Sequence, residues 1–333
     1  MIQIRYNHSL LKHNSFHLDV KAAEYVEYSS IDELQTYLPL RDQTKALFHI
    51  GGGNNLLFTK DFDGIILHSA VRGAERVGES DDFVTIKVGA AEVWDELVER
   101  TLNKRLYGLE NLSLIPSEVG AAAVQNIGAY GAEAKDVIEK VDVVSLTDGS
   151  VKTFSNKECA FSYRYSNFKG PWRGQCAVAY VYLRLSKTFV PNLSYKAVAD
   201  IYHPNMDALS LRQAIINIRQ NKLPDPSVIP NAGSFFMNPV VSEDQFAALQ
   251  ATYPTIPHYK VDNGVKIPAA WLIEQTGWKG KSQGRAGVYE KQPLVLVNRG
   301  GATGEDIVRL SDAVCKDVKD KFGITIRPEV NWI

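Results

Sequence analysis

Apolar and polar positions alternate with a period of two at several places in the first half of the chain, and a period of two predicts strands. ALFHI (46–50) and NLLF (55–58) flank a glycine run, GIILHSAV (64–71) follows closely, and DFVTIKVGA (82–90) alternates cleanly. VDVVSLTDGSVKTF (141–154) reads as a hairpin turning over Asp148-Gly149, and AVAYVYLRL (177–185) is a further strand. The helical period first appears in VWDELVERTLNKR (93–105), through Val93, Leu97 and Leu102. It recurs in SLRQAIINIRQNK (210–222), which Pro224 and Pro226 close off. SEDQFAALQATY, AAWLIEQTG and GEDIVRLSDAVCKDVKDKFG are three more helices. NAGSFFMNPVV is a glycine-turned strand, and ITIRPEVNWI reads as a last one. A β-rich first part thus gives way to an α+β second part near residue 205, with no internal repeat and no low-complexity linker.

Composition narrows the function classes. The 333 residues suffice for two or three domains, and 45% hydrophobic with 23% charged residues is ordinary for a globular chain. A net charge of −1 gives no long-range field for nucleic acid or an anionic membrane. No apolar run is long enough to span a bilayer, and MIQIRYNHSLLKHNSF lacks the apolar core of a signal peptide. Cys159, Cys176 and Cys315 are odd in number and far apart, which suits a reducing cytosol, and the seven histidines have no metal-ligand spacing. The expectation is a cytoplasmic protein that binds no metal, inserts in no membrane and needs no obligate protein partner.

The triplet Gly51-Gly52-Gly53 fits neither familiar phosphate motif. In a dinucleotide fingerprint the third glycine would fall at Leu56, and for a P-loop ending in Gly280-Lys281-Ser282 the first glycine would fall at Gln275. What remains is a strand-loop-strand whose bare amides form either an anion-binding nest or a plain hairpin turn. A second stretch, GLENLSLIPSEVGAAAVQNIGAYGAE (108–133), also exposes backbone through small residues. Two such segments suggest one large phosphate-bearing ligand, and a dinucleotide cofactor fits that description.

GGGNNLLF, GLENLSLIP, QNIGAYG, SYRYSNFK, KLPDP, NAGSFFMNPVV and RPEV occur in the order seen in the UDP-N-acetylenolpyruvoylglucosamine reductases, so the chain resembles that family from about Asn14 to Glu329. The resemblance implies an α+β fold: a two-subdomain FAD-binding unit of the vanillyl-alcohol oxidase type (1–67 and 68–205) and a C-terminal substrate-binding domain (206–333). It implies NADPH-dependent reduction of a sugar-nucleotide enolpyruvyl ether in cell-wall precursor synthesis. FAD would lie against Gly51, Gly52, Gly53, Asn54, Asn55 and Leu56, and against Pro116, Gly120, Ala121, Gln125, Asn126, Gly128, Ala129, Tyr130 and Gly131. Arg164, Ser234 and Glu329 match the catalytic positions: a carboxylate-binding arginine, a proton donor and a glutamate. Tyr195, in the extra loop of the longer type of this enzyme, together with Lys222, Asn238 and Gln292, matches substrate contacts. Phe161, Tyr163 and Tyr165 fall on one face of a strand and Arg164 on the other. Three features depart from the family pattern, the first being that the glycine loop reads GGGNN where a serine commonly precedes the second asparagine. Glu118 in PSEVG enters a site that more usually reads Pro-Gly-small-aliphatic-Gly, placing a carboxylate near the expected phosphates, and Met237 replaces a common lysine.

Taken alone, each residue also has a plainer reading: an ion-paired surface arginine, a turn serine, an exposed strand carboxylate. A sugar or alcohol oxidase on the same scaffold would keep the glycine loop without needing Arg164, Ser234 and Glu329 together. A nucleotide-binding protein without chemistry would not turn over at all.

The loop 51–55 carries no histidine or cysteine for a flavin tether. Acid precipitation of the yellow protein is therefore expected to release the flavin and leave a colourless pellet.

Overall fold

The computed structural model describes residues 2–333. It divides into two compact units, the first made of residues up to 8, 22–52 and 63–219, the second of 9–21, 53–62 and 220–333.

Two sheets build the first unit. The four-stranded one has the order Gln3–Ser9, Lys21–Tyr28, Phe62–Ser69, Ala46–Ile50, with the last two parallel. The five-stranded one has the order Val151–Ser155, Ile138–Ser145, Cys176–Ser186, Phe83–Gly89, Ala74–Glu79, and is antiparallel throughout. Val26, Ile65 and Leu67 from the first sheet share a core with Val144, Ala177 and Ala179 from the second. The helix Ile31–Tyr37 closes that core with Leu34 and Tyr37, and starts where the Ser30 side chain accepts from the Glu33 amide. The other face of the five-stranded sheet is covered by the helices Trp94–Asn103 and Val119–Gln125. Trp94, Leu97, Val98, Thr101 and Leu102 form the buried stripe of the first of these.

The second unit has a four-stranded sheet, in the order Asn231–Ser234, Val295–Asn298, Ala286–Val288, Ser282–Gln283, and a three-stranded one through Val240–Val241, Gly264–Lys266 and Tyr259–Val261. Its longest helix, Gly304–Phe322, shows why the sequence folds locally as it does. Thr303 and Asp306 form a reciprocal capping box, acidic residues occupy the first turn and lysines the last, and Gly323 ends it in the left-handed conformation. Ile307, Leu310, Val314, Val318 and Phe322 recur at helical spacing and are buried, each contributing about 1.5–3 kcal/mol. The core they enter includes Phe16, Leu18 and Leu57 from the two early segments of this unit.

Two expected strands take another form. ITIRPEVNWI pairs in regular fashion only through Asn331–Trp332, parallel to Leu56–Leu57. Upstream there is an isolated bridge, Phe236 to Pro328, in place of a ladder. SYRYS is a tight turn, with Ser162 and Tyr165 exchanging backbone bonds of 3.0 Å and Arg164 at φ 56°. A left-handed residue breaks the two-residue alternation, so Arg164 has no opposite strand face to occupy.

Gly53 is in the left-handed region at φ 70°, and a Cβ there would collide with the carbonyl of His13. Gly323, at φ 67°, has open space around the same position. Gly323→Ala is expected to cost about 1–2 kcal/mol from the backbone alone. Gly53→Ala should cost about 2–5 kcal/mol, since the neighbouring backbone must also move. Urea unfolding of both cofactor-free variants, followed by tryptophan fluorescence, compares them.

Candidate functional site

The glycine run forms a bend after the Ala46–Ile50 strand, and the first unit passes into the second between Gly52 and Gly53. Gly51 and Gly52 are half-buried and Gly53 is buried. The amides of Gly52, Gly53 and Asn54 meet no acceptor among the described residues. Adjacent unanswered amides, one of them buried, are what a pyrophosphate needs and what a plain hairpin turn does not provide. The bend therefore fits the expected FAD phosphates. Asn55 and Leu56 are tied elsewhere: the Asn55 carbonyl accepts from the Asn331 amide, and Leu56 pairs with Asn331.

In the first unit, Gly120 opens the helix Val119–Gln125, and its amide donates 2.9 Å to the Ala90 carbonyl. A Cβ on Gly120 would come within 2.8 Å of the Ala90 Cβ, so its small size serves close packing. Ala121 faces Gly51, whose own Cβ would lie 3.1 Å from it. Pro116 is exposed and Gln125 half-buried. Asn126 ends the helix at φ 47° and is fully buried. Its side-chain amide donates to Glu133 at 2.9 Å and to the Ser162 carbonyl at 2.8 Å, and its carbonyl accepts from the Lys135 amide at 3.0 Å. That side chain is spent on protein contacts.

Gly128–Ala129 pairs with Ala132–Glu133 around Tyr130 (φ 50°) and Gly131 (φ 83°). The Arg164 Nη2 donates 2.8 Å to the Gly128 carbonyl, which brings the arginine onto this small hairpin. Asn126, Tyr130 and Arg164 are thus three left-handed non-glycine residues in one place. Each costs about 1–2 kcal/mol, and such strain concentrates at functional sites.

Tyr195 is 40% exposed, and its ring meets that of Tyr130 edge-on at 5.3 Å. The Asn111 amide joins the two segments by donating to the Tyr130 and Asn192 carbonyls at 2.7 and 2.9 Å. Arg219 joins the cluster without any sequence signal. Its Nε donates 3.2 Å to the Leu114 carbonyl, its guanidinium lies within reach of the Tyr130 hydroxyl, and burial pulls it below the ordinary arginine value.

In the second unit, Gly233 (φ 68°) interrupts the register of Asn231–Ser234 against Val295–Asn298, so that Ser234 lies opposite Val295. The next amide, of Phe235, donates 2.7 Å to the Leu294 carbonyl, which packs the turn holding Gln292 alongside. On the other side the Glu329 amide donates 2.7 Å to the Phe235 carbonyl, and the Met237 amide donates 3.0 Å to Arg327. Ser234 and Glu329, about a hundred residues apart in sequence, are therefore neighbours on adjacent segments. Asn238 follows, and its side-chain carbonyl accepts from the Ala269 amide at 2.9 Å. Lys222 is exposed at the last turn of the helix Ala208–Lys222.

A half-buried histidine pair, which the sequence reading passed over, lies on the parallel strands Ala46–Ile50 and Phe62–Ser69. His49 is 3.0 Å from the Tyr28 hydroxyl, and burial drives it down to about 3, so it is neutral. His68 stands between two carboxylates, with Nδ1 3.0 Å from Glu27 and Nε2 3.5 Å from Glu118. Burial opposes its charge, but the bonds and charges of Glu118 and Glu27 outweigh this and raise it above 6.5. The signal was one polar residue at the end of the apolar run GIIL.

Residues 22–155 match the FAD binding domain family, and residues 225–333 match the C-terminal domain of UDP-N-acetylenolpyruvoylglucosamine reductase. The UDP-N-acetylenolpyruvoylglucosamine reductase of Bacteroides fragilis is 52% identical over 98% of this chain and 99% of its own length. That of Porphyromonas gingivalis is 44% identical over the whole of both. The crystal structure of the Thermus caldophilus reductase, only 21% identical, has the same fold, with a TM-score of 0.70 over 100% of this chain and 98% of that one. On these relatives, 52% and 44% identical over nearly the whole of both chains, the chain belongs to the UDP-N-acetylenolpyruvoylglucosamine reductase family.

Proposed function

We infer that the protein is an FAD-dependent oxidoreductase that reduces UDP-N-acetylglucosamine enolpyruvate to UDP-N-acetylmuramate with NADPH, in peptidoglycan precursor synthesis. Family membership carries the activity. The observation that best supports its chemistry is the adjacency of Ser234 and Glu329 through the Phe235 carbonyl. FAD, when bound, contributes the hydride chemistry that no amino-acid side chain possesses.

The chain's own residues supply binding, charge and a proton. Gly51 to Asn54 and the 116–131 segment, apart from the Asn126 side chain, hold the cofactor. The Arg164 guanidinium receives the substrate carboxylate, which gains negative charge as the enolpyruvyl double bond is reduced. Its bond to the Gly128 carbonyl fixes the plane of the fork. The Ser234 hydroxyl gives its proton to the carbon that bears the carboxylate. A neutral donor suits this position, because it adds no negative charge beside a developing anion. Glu329 acts at the same carboxyl end of the substrate. Tyr195, Lys222, Asn238 and Gln292 retain the sugar nucleotide. No helix among the described residues is long and apolar enough to cross a membrane, which is consistent with a cytoplasmic site of action.

Ser234→Ala separates the two halves of the reaction. Bleaching of the flavin by NADPH should proceed at close to the wild-type rate, whereas recovery of colour on adding the enolpyruvyl substrate should slow by about 10²–10⁴-fold. Unimpaired recovery in a stopped-flow trace would remove Ser234 from the mechanism.

Arg164→Lys keeps the charge and the same left-handed backbone but loses the fork. Turnover should fall by about 10²-fold or more, the scale of a lost oxyanion donor. If instead turnover were near normal and only the melting temperature fell, Arg164 would be a scaffold residue.

A further inference from the structure

Glu118 is out of place in an anion-binding loop. Its Oε2 lies 3.0 Å from where a Cβ on Gly51 would stand, so a carboxylate abuts the bend whose amides await the cofactor's phosphates. Two negative groups this close repel strongly in a partly buried setting. The side chains of Glu118 and His68 are both 15% exposed, and the 3.5 Å pair between them is the nearest compensation.

We propose that His68 is a positioning residue for the cofactor: as an imidazolium it anchors the Glu118 carboxylate and neutralises it beside Gly51, so that FAD is held tightly only while His68 carries its proton. This rests on the reading that the glycine bend receives the pyrophosphate.

The surroundings of His68 leave it as the group that switches. It lies on the Phe62–Ser69 strand. The neighbouring Lys21–Tyr28 strand presents Glu27, at 3.0 Å, and Tyr25, whose ring stacks on the imidazole at 6.0 Å. Tyr25 also bonds Glu27, at 3.3 Å, and is pushed above the ordinary tyrosine range by burial and by that carboxylate, so it stays protonated. From the Gln3–Ser9 strand, His8 and Arg5 lie beyond the Tyr25 ring, at 4.5 and 5.9 Å from its centre. The Ala46–Ile50 strand contributes His49, held neutral by burial. Glu118 comes from the loop before the helix Val119–Gln125. Two carboxylates thus flank one imidazole, and their attraction raises its titration above 6.5. The sign follows. A group whose folded value is raised contributes while protonated and loses that contribution as pH rises through the raised value. Both the fold and the cofactor affinity should therefore weaken toward alkaline pH.

The test measures FAD dissociation from the stripped apoprotein, by flavin fluorescence quenching, from about pH 6 to about pH 9, a span that brackets imidazole titration. Wild type should lose affinity about tenfold or more across this range. His68→Gln should bind weakly and without pH dependence, near the alkaline wild-type value. Glu118→Gln should bind tightly and without pH dependence, and the double variant should recover most of what His68→Gln loses. A purely structural role for His68 would shift the melting temperature with pH but leave the Glu118→Gln affinity at the wild-type value. A flat wild-type profile, or weaker binding by Glu118→Gln, overturns the proposal. Gly52→Asp places a new carboxylate on the bend itself. If it abolishes FAD binding while the wild-type profile is flat, the bend reading stands and the role of His68 fails. If it binds FAD normally, both fail.

Discussion

The short antiparallel pairing of Phe235–Met237 with Arg327–Glu329 is the constraint on which the chemistry proposed for the second unit depends. Two backbone bonds, from the Glu329 amide to Phe235 and from the Met237 amide to Arg327, set the distance between Ser234 and Glu329. Side-chain contacts can slip by a rotamer, whereas a backbone pairing cannot shift without moving every residue on it. The pairing is centred on Phe236 and Pro328, with the two bonds made on either side of them. Just beyond it, Asn331–Trp332 pairs with Leu56–Leu57, so the residues after the glycine bend are held by the strand that follows Glu329.

The first unit solves a different problem. Arg164, Tyr130 and Asn126 all occupy left-handed backbone, a conformation that L-residues adopt at a cost of about 1–2 kcal/mol each. The surrounding bonds over-determine them. Asn126 uses both its amide protons and its carbonyl on the protein, Asn111 clamps the Tyr130 carbonyl, and Arg164 is anchored to Gly128. The arginine fork is thus presented by a turn held by several bonds, which suits the carboxylate-binding role proposed for it.

Much of this was legible in the sequence, for identifiable reasons. The helices Trp94–Asn103, Ala208–Lys222, Glu243–Thr252 and Gly304–Phe322 carry caps or a strong stripe, and the Ile138–Ser155 hairpin carries an Asp-Gly turn. The bend at 51–55 announced itself because three glycines have little use in a strand. By contrast, the Gln3–Ser9 strand drew no reading although Ile4 and Tyr6 alternate with Gln3, Arg5 and Asn7, and in the fold nearly all of it is exposed. SYRYS misled because its aromatic alternation mimics a strand, while the turn is made by a non-glycine residue in a conformation its type rarely adopts. Arg219 and the Glu27–His68–Glu118 series were out of reach. Their partners come from distant strands and loops, and no local spacing encodes them.

The second unit is discontinuous, and this bears on how the chain folds as it is made. Phe16, Leu18 and Leu57 emerge from the ribosome early, yet the core that buries them consists largely of residues after 220. Until that late portion is synthesised, these side chains have no native partners in their own unit, and closing the core must bring together segments far apart in sequence. The first unit has no such debt to residues beyond 219 and can complete its two sheets beforehand. The nascent protein therefore passes through a stage in which the Arg164 turn is already built while Phe16 and Leu57 remain exposed, and it is in this interval, not in the finished molecule, that a chaperone would find something to bind.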